Sequence, residues 1–157
     1  MSKVIPNQDS WIGFAANVAN VKAPTATEVS AATNLTPFTI SVTASTQGNT
    51  IPTPTLDSLF ETSVPGVAQG QFSADFYRDD VTDVAWNLLP RNTKGYMLIS
   101  RFGGTGANYM PVINNAIEVW PVIITSRASS ALTSNQAQTF SVTAAVPVEP
   151  AENATVH

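Results

Sequence analysis

The stretch "SADFYRDDVTDVAWNLLPRNTKGYMLISRFG", residues 73–103, holds four acids, three Arg, one Lys and one of the three Trp residues of a chain with only 11% charged residues. Such a cluster is either the working centre of an enzyme or the junction of a structural subunit. Its periodicity separates the two. "QFSADFYR" alternates, with Phe72, Ala74 and Phe76 on one face and Gln71, Ser73, Asp75 and Tyr77 on the other, which predicts a half-buried strand. "DDVTDVAWNLLP" follows with Val81, Ala85, Trp86 and Leu89 at helical spacing. Asp80 or Thr82 is the expected cap, and Asp79, Asp80 and Asp83 sit where carboxylates favour the helix dipole. Pro90 ends the helix, and "GYMLISRF" is apolar on both faces, as suits a strand covered from both sides. Strand, capped helix and strand therefore give every charge of the cluster a structural role.

Working outward, the same period of two recurs. Phe38, Ile40, Val42 and Ala44 alternate with Thr39, Ser41, Thr43 and Ser45, and Phe140, Val142, Ala144 and Val146 with Thr139, Ser141 and Thr143. "TLDSLFETSV" is a weaker strand. "IEVWPVIITS" is apolar on both faces, and Pro121 within it argues for an edge or a bulge. "PTATEVSAAT" can hold a short helix capped by Thr25 or Thr27. Residues 1–24, with Pro6 and Pro24 and no clean period, read as an extended arm whose Trp11, Ile12 and Phe14 dock on the chain's own domain or on a neighbour. The expected organisation is an arm over 1–24, a single β domain over 25–149 and a C-terminal tail over 150–157.

Composition narrows the function. A chain of 157 residues can bury a real core as one domain. Its low charge suggests a surface covered by other copies. A net charge of −4 argues against a nucleic-acid clamp, which needs clustered Lys and Arg. The absence of cysteine removes disulfides and thiolate metal sites. "MSKVIPNQDSWIG" has no apolar core of signal-peptide length, and no run approaches a membrane span, so synthesis and folding in a cytoplasm are expected. Catalysis finds little support. The acids at 79, 80 and 83 crowd one helical turn, His157 is the last residue, and "GGTGAN" lacks the Lys-Ser/Thr pair of a phosphate loop. No cofactor, metal or catalytic residue is expected. What stands out is a set of three strands sharing a nearly uncharged Ser/Thr face, which fits either the solvent face of an ordinary β-sandwich or the inner wall of a pore built from many copies.

The collinear segments "APTATEVSAATNLTPF", "TLDSLFETSVPG", "QFSADFYRDD", "AWNLLPRNTKGYMLISRFG", "EVWPVIITSR" and "QTFSVTAAVPVEP" resemble the major tail tube proteins of long-tailed, siphovirus-type bacteriophages, especially those of actinobacterial phages. The likeness runs from Trp11 to Glu149. It implies a mainly β protein, a β-sandwich or partly closed barrel with one flanking α-helix and an extended N-terminal arm. It also implies a virion protein without enzymatic activity, assembled in the host cytoplasm, whose hexameric rings stack into a tube that conducts DNA. Tail terminator, tape measure and distal tail proteins are the implied partners, with no membrane. On this resemblance Thr39, Ser41, Thr43, Ser73, Asp75, Thr139, Ser141 and Thr143 face the lumen. Trp11, Phe14, Glu61, Val64 and Pro65 contact adjacent rings, and Arg78, Arg101 and Arg127 pair with acids across subunits. The alternative is another β-sandwich virion protein, such as a capsid decoration or adhesion module.

Overall fold

The computed structural model describes residues 9–157. Among these, eight strands form one antiparallel sheet: β1 (Trp11–Ala15), β2 (Thr33–Asn34), β3 (Thr39–Pro52), β4 (Ser63–Tyr77), β5 (Lys94–Ser100), β6 (Ala116–Ser129), β7 (Thr139–Ala145) and β8 (Ala151–Thr155). Their order is β2-β1-β5-β6-β7-β4-β3, with β8 also on β6, and the path does not close into a barrel.

β6 organises the sheet because its two halves have different neighbours. Its first half pairs with β5, from Ile99↔Glu118 to Lys94↔Ile123, and with β8 through Ile117↔Ala154 and Val119↔Ala151. Its second half pairs with β7, from Ile123↔Ala145 to Ser129↔Phe140, across a register shift between Ile124 and Ser126. Pro121, expected at an edge or bulge, lies in a central strand, between the last residue paired to β8 and the first paired to β7. That local gap tolerates a residue without an N–H.

The sheet folds over on itself and encloses two apolar clusters. Phe72, Phe76 and Phe140 of β4 and β7 pack against Ile12, Phe14, Met97, Trp120 and Val122 of β1, β5 and β6. On the other side of the same three strands, Trp11, Leu98 and Val119 pack against Val29, Ala151, Ala154 and Val156. Strand β5 and the first half of β6 are thus covered on both faces, as their continuous apolar runs predict.

Several expectations are corrected. Trp11 and Phe14, expected at ring-to-ring contacts, are 2% and 5% exposed, because β1 lies between β2 and β5 inside the core. The arm expected over 1–24 therefore contributes a core strand; its first eight residues lie outside the described residues. The tail expected over 150–157 likewise supplies β8, and Val156 is fully buried.

The expected long helix shrinks to α2 (Val84–Leu88), with Asp83 ahead of it in the left-handed region at φ 44° and no side-chain cap. Local hydrogen bonds explain the loss. Asp79 accepts from the Val81 N–H (3.1 Å) and the Thr82 hydroxyl (3.0 Å), and Asp83 accepts from Arg78 Nε (2.7 Å) and the Asp79 N–H (3.2 Å). Such side-chain turns compete with helix. Both bonds to Asp79 favour its ionised form and lower its pKa. Val81 is left exposed while Ala85 and Leu89 stay buried.

The other helix, α1 (Ala26–Ala31), has Thr25 as its cap in a full capping box: Glu28 N–H donates to Thr25 Oγ1 (3.2 Å) and Thr25 N–H donates to Glu28 Oε2 (2.8 Å). The N–H groups of Thr25 and Ala19 hold the Glu28 carboxyl below the usual glutamate range. Its stabilising contribution is present above the ordinary glutamate pKa and fades as pH falls through the lowered one.

Two replacements test this packing by thermal or denaturant melting. Trp11→Ala is expected to cost about 3–5 kcal/mol as a core truncation, where a residue held only by a neighbouring subunit would leave the monomer's stability unchanged. Thr25→Ala is expected to cost about 1 kcal/mol.

Candidate functional site

Because Phe72, Ala74 and Phe76 point into the core, the alternate residues of β4 must point out of it. The same holds for β7, whose Phe140, Val142 and Ala144 are buried. Register then aligns the outward residues into rows. Thr43 lies opposite Ser73, Ser73 opposite Thr143 and Thr143 opposite Ser126. In the next row Ser41 lies opposite Asp75, Asp75 opposite Ser141 and Ser141 opposite Ala128. Four strands, β3, β4, β7 and the second half of β6, therefore present one exposed face of hydroxyls.

Asp75 is the only charged residue in these two rows, and its carboxylate bridges the strands. Ser41 donates to Oδ2 (3.0 Å) and Ser141 to Oδ1 (2.6 Å). Each oxygen thus takes one hydroxyl, and the acid stays within the wall.

Ser41, Thr43, Ser73, Asp75, Ser141 and Thr143 are brought together on this face, with Thr139 beside Tyr77 at its margin. Thr39 is not. A register shift between Thr39 and Ser41 puts Thr39 opposite Phe76, on the core side, where its hydroxyl donates to the Leu35 carbonyl (2.8 Å). Ile40, expected inside, is 45% exposed at that bulge. A one-residue irregularity inverts the faces locally, as the period of two requires. Sequence reasoning missed Ser126; the change from the apolar run "WPVII" to the polar "TSRAS" is the signal that marks where β6 leaves the core.

The four-strand wall has a free edge on each side. β3 ends the sheet, and the second half of β6 runs on past Lys94, where its pairing with β5 stops at Ile123. Beyond the wall β3 and β4 continue as a projecting hairpin, paired from Thr46↔Gly70 to Pro52↔Ser63, whereas pairing to β7 ends at Gln71. Glu61, Val64 and Pro65 lie on this hairpin and are exposed.

The three arginines expected to pair across subunits have partners within the chain. Arg78 pairs with Asp83 at 2.6 Å. Arg101 donates to both carboxylate oxygens of Glu118, which hold its guanidinium firmly charged. Arg127 donates to the Trp86 carbonyl (2.6 Å). Arg78 and Arg127 also stack on the Trp86 ring, 3.9 and 3.7 Å from its centroid, and fix α2 against the wall. An open cleft of about 870 Å³ lies beside them, lined by Phe38, Asp79, Asp80, Thr82 and Gln138. Among the described residues no three His, Cys, Asp or Glu are grouped to hold a metal, and no helix is long and apolar enough to cross a membrane.

The sequence matches the phage tail tube protein family over residues 3–157. The chain belongs to that family, and it is a structural subunit of a phage tail tube, located in the virion tail. No curated protein matches the sequence. Among solved structures, the fold is similar to a chain in the sheath/tube terminator of the PVC extracellular contractile injection system in its extended state, with a TM-score of 0.63 and 13% identity over 95% of this chain and 96% of that one. It is similar to a chain of the virion of a native gene transfer agent particle, with a TM-score of 0.57 and 13% identity over 94% and 97%. A chain from the tail of an empty gene transfer agent particle, refined helically with C6 symmetry, gives 0.51 and 15% over 72% and 80%.

The hydroxyl face carries none of the core, so it should tolerate change. Asp75→Ala is expected to alter stability by no more than about 0.5 kcal/mol; a melting curve shifted well beyond that would mean that Asp75 holds the wall together.

Proposed function

We propose that six copies close into a ring whose lumen is the hydroxyl face, and that stacked rings conduct genomic DNA without binding it. The observation that carries this reading is an exposed wall of Ser and Thr with an unpaired strand edge on each side. Edges left open invite uncontrolled association, and sharing them between copies removes the hazard. The β3 edge of one copy joins the free edge of the second half of β6 in the next, by the backbone pairing used in strand addition. The six-fold symmetry of the similar gene transfer agent tail supports the ring size.

The chemistry of the wall suits passage. Each Lys or Arg that neutralises a phosphate releases counterions and adds affinity, and small affinities summed over a genome arrest it. Hydroxyls keep the wall wet, and the carboxylate of Asp75, one per copy, repels phosphate weakly. Ser41, Thr43, Ser73, Ser141 and Thr143 line the channel; Thr139 stands at its rim. Glu61, Val64 and Pro65, on the projecting hairpin, reach the adjacent ring. The role is mechanical, without catalysis. Terminator, tape measure and distal tail proteins are the partners at the ends of the tube and inside it.

Changing Ser41, Ser73 and Ser141 together to Lys is expected to leave tubes intact by electron microscopy while reducing DNA delivery at least about ten-fold, since three cations per copy would grip the phosphates. Normal infectivity of virions built from that variant would refute the lumen assignment.

A further inference from the structure

We infer that neighbouring copies within a ring are clasped by charge beside their shared strand edge, with Arg91 and Lys94 of one copy entering a cleft of the next that exposes Glu149 and Glu152. The inference rests on the tube reading and adds a second contact, behind the joined strands, to the one that closes the ring.

The cations stand on the free edge of β6. Asn92 N–H donates to the Ile124 carbonyl (2.8 Å) and Ile124 N–H donates to the Thr93 carbonyl (2.9 Å). The turn ahead of β5 therefore carries the β5 pairing one step further along β6, and the edge left open is residues 125–129. Arg91 and Lys94 flank that turn, are exposed and form no ion pair among the described residues.

Direction and alternation decide what arrives there. Every neighbouring pair in the order β6-β7-β4-β3 is antiparallel, so β3 runs opposite to β6. Rotation about the tube axis preserves those directions, and β3 of one copy meets β6 of the next antiparallel. For hydroxyl face to join hydroxyl face, Ser126 must lie opposite an outward residue of the β3 wall, which leaves Thr43 or Ser45. Ser41 there would set Thr39, on the core side, against Ala128. Both registers bring Thr46, the next core-side residue after Val42 and Ala44, beside the turn that holds Arg91 and Lys94. The heights agree as well. Lys94, Ile123, Ala145 and Gln71 share one level of the sheet, one step from the Thr46↔Gly70 pair on the opposite side of the molecule.

Thr46 lines an open cleft of about 530 Å³ between the base of the hairpin and the loop from β7 to β8, with Gln69, Gly70, Pro147, Glu149 and Glu152. No Lys or Arg lines it. The Thr46 hydroxyl donates to Glu152 (3.3 Å) and ties that carboxylate to β3. Neither Glu149 nor Glu152 is in an ion pair among the described residues. Arg101, close enough to feel the charge of Glu152, is held by both carboxylate oxygens of Glu118. Two free cations on one edge and two free acids behind the other are what a heterologous, ring-closing contact requires. One exposed ion pair contributes little. Repeated at every junction of a ring, such pairs steer the two edges together and reject misplaced ones, because like charges brought together are costly.

The test uses the full chain in three forms: Arg91→Glu with Lys94→Glu, Glu149→Lys with Glu152→Lys, and all four together. Sedimentable tube is measured at low salt, seeded where necessary with purified tail tips, and circular dichroism confirms folding. Each double variant is expected to yield at least about ten-fold less tube, and the four-fold exchange to restore it. Carbodiimide applied to parent tubes is expected to join Lys94 to Glu149 or Glu152 in products of no more than six copies. Doubles that assemble like the parent, a folded four-fold variant no better than the doubles, or Lys94 links in longer products would overturn the contact while leaving the tube reading standing. A parent protein that never polymerises, even when seeded, would sink the tube reading and this contact with it.

Discussion

The structure depends on one constraint: β6 is shared between two arrangements of sheet. Its first half, with β5 and β1, is apolar on both faces and is covered twice, by the aromatic cluster on one side and by α1, β8 and Val156 on the other. Its second half turns into a wall of which only one face is covered. Burying both faces of three strands in a chain of this size concentrates the apolar residues there. The strands β3, β4 and β7 can then be half polar, and their outer face needs no large side chain at all.

From that division the rest follows physically. A half-covered wall of antiparallel strands alternates, and its exposed residues are free to be chosen for function rather than stability. They are hydroxyls, with a single carboxylate that accepts from two of them. Three of the arginines are engaged away from that face: Arg78 and Arg127 stack on Trp86 behind the wall, and Arg101 is bound to Glu118.

Much of this was legible in the residue order. The period of two in β4 and β7 placed Ser73, Asp75, Ser141 and Thr143 on one face, and the runs "YMLIS" and "EVWPVII" marked the strands covered twice. Three things were not legible, each for a local reason. The bulge at Ile40 has no turn residue to announce it, so alternation carried Thr39 to the wrong face. The helix around Trp86 was overestimated because Asp79 and Asp83 spend their carboxylates on turns and on Arg78 rather than on a helix cap. The aromatic residues near the N-terminus lack periodicity over so short a run, and five residues of strand looked like an arm. Where a neighbouring copy covers a surface, single-chain sequence patterns hold no record of which residues meet.

The most direct measurement is a helical reconstruction, by electron cryomicroscopy, of tubes formed by this protein. The account predicts a hollow tube in which Ser41, Ser73 and Ser141 line the pore and β3 of each subunit continues the sheet of the next. A tube in which that hydroxyl face points outward, or is buried in a subunit contact while other strands line the pore, would contradict it.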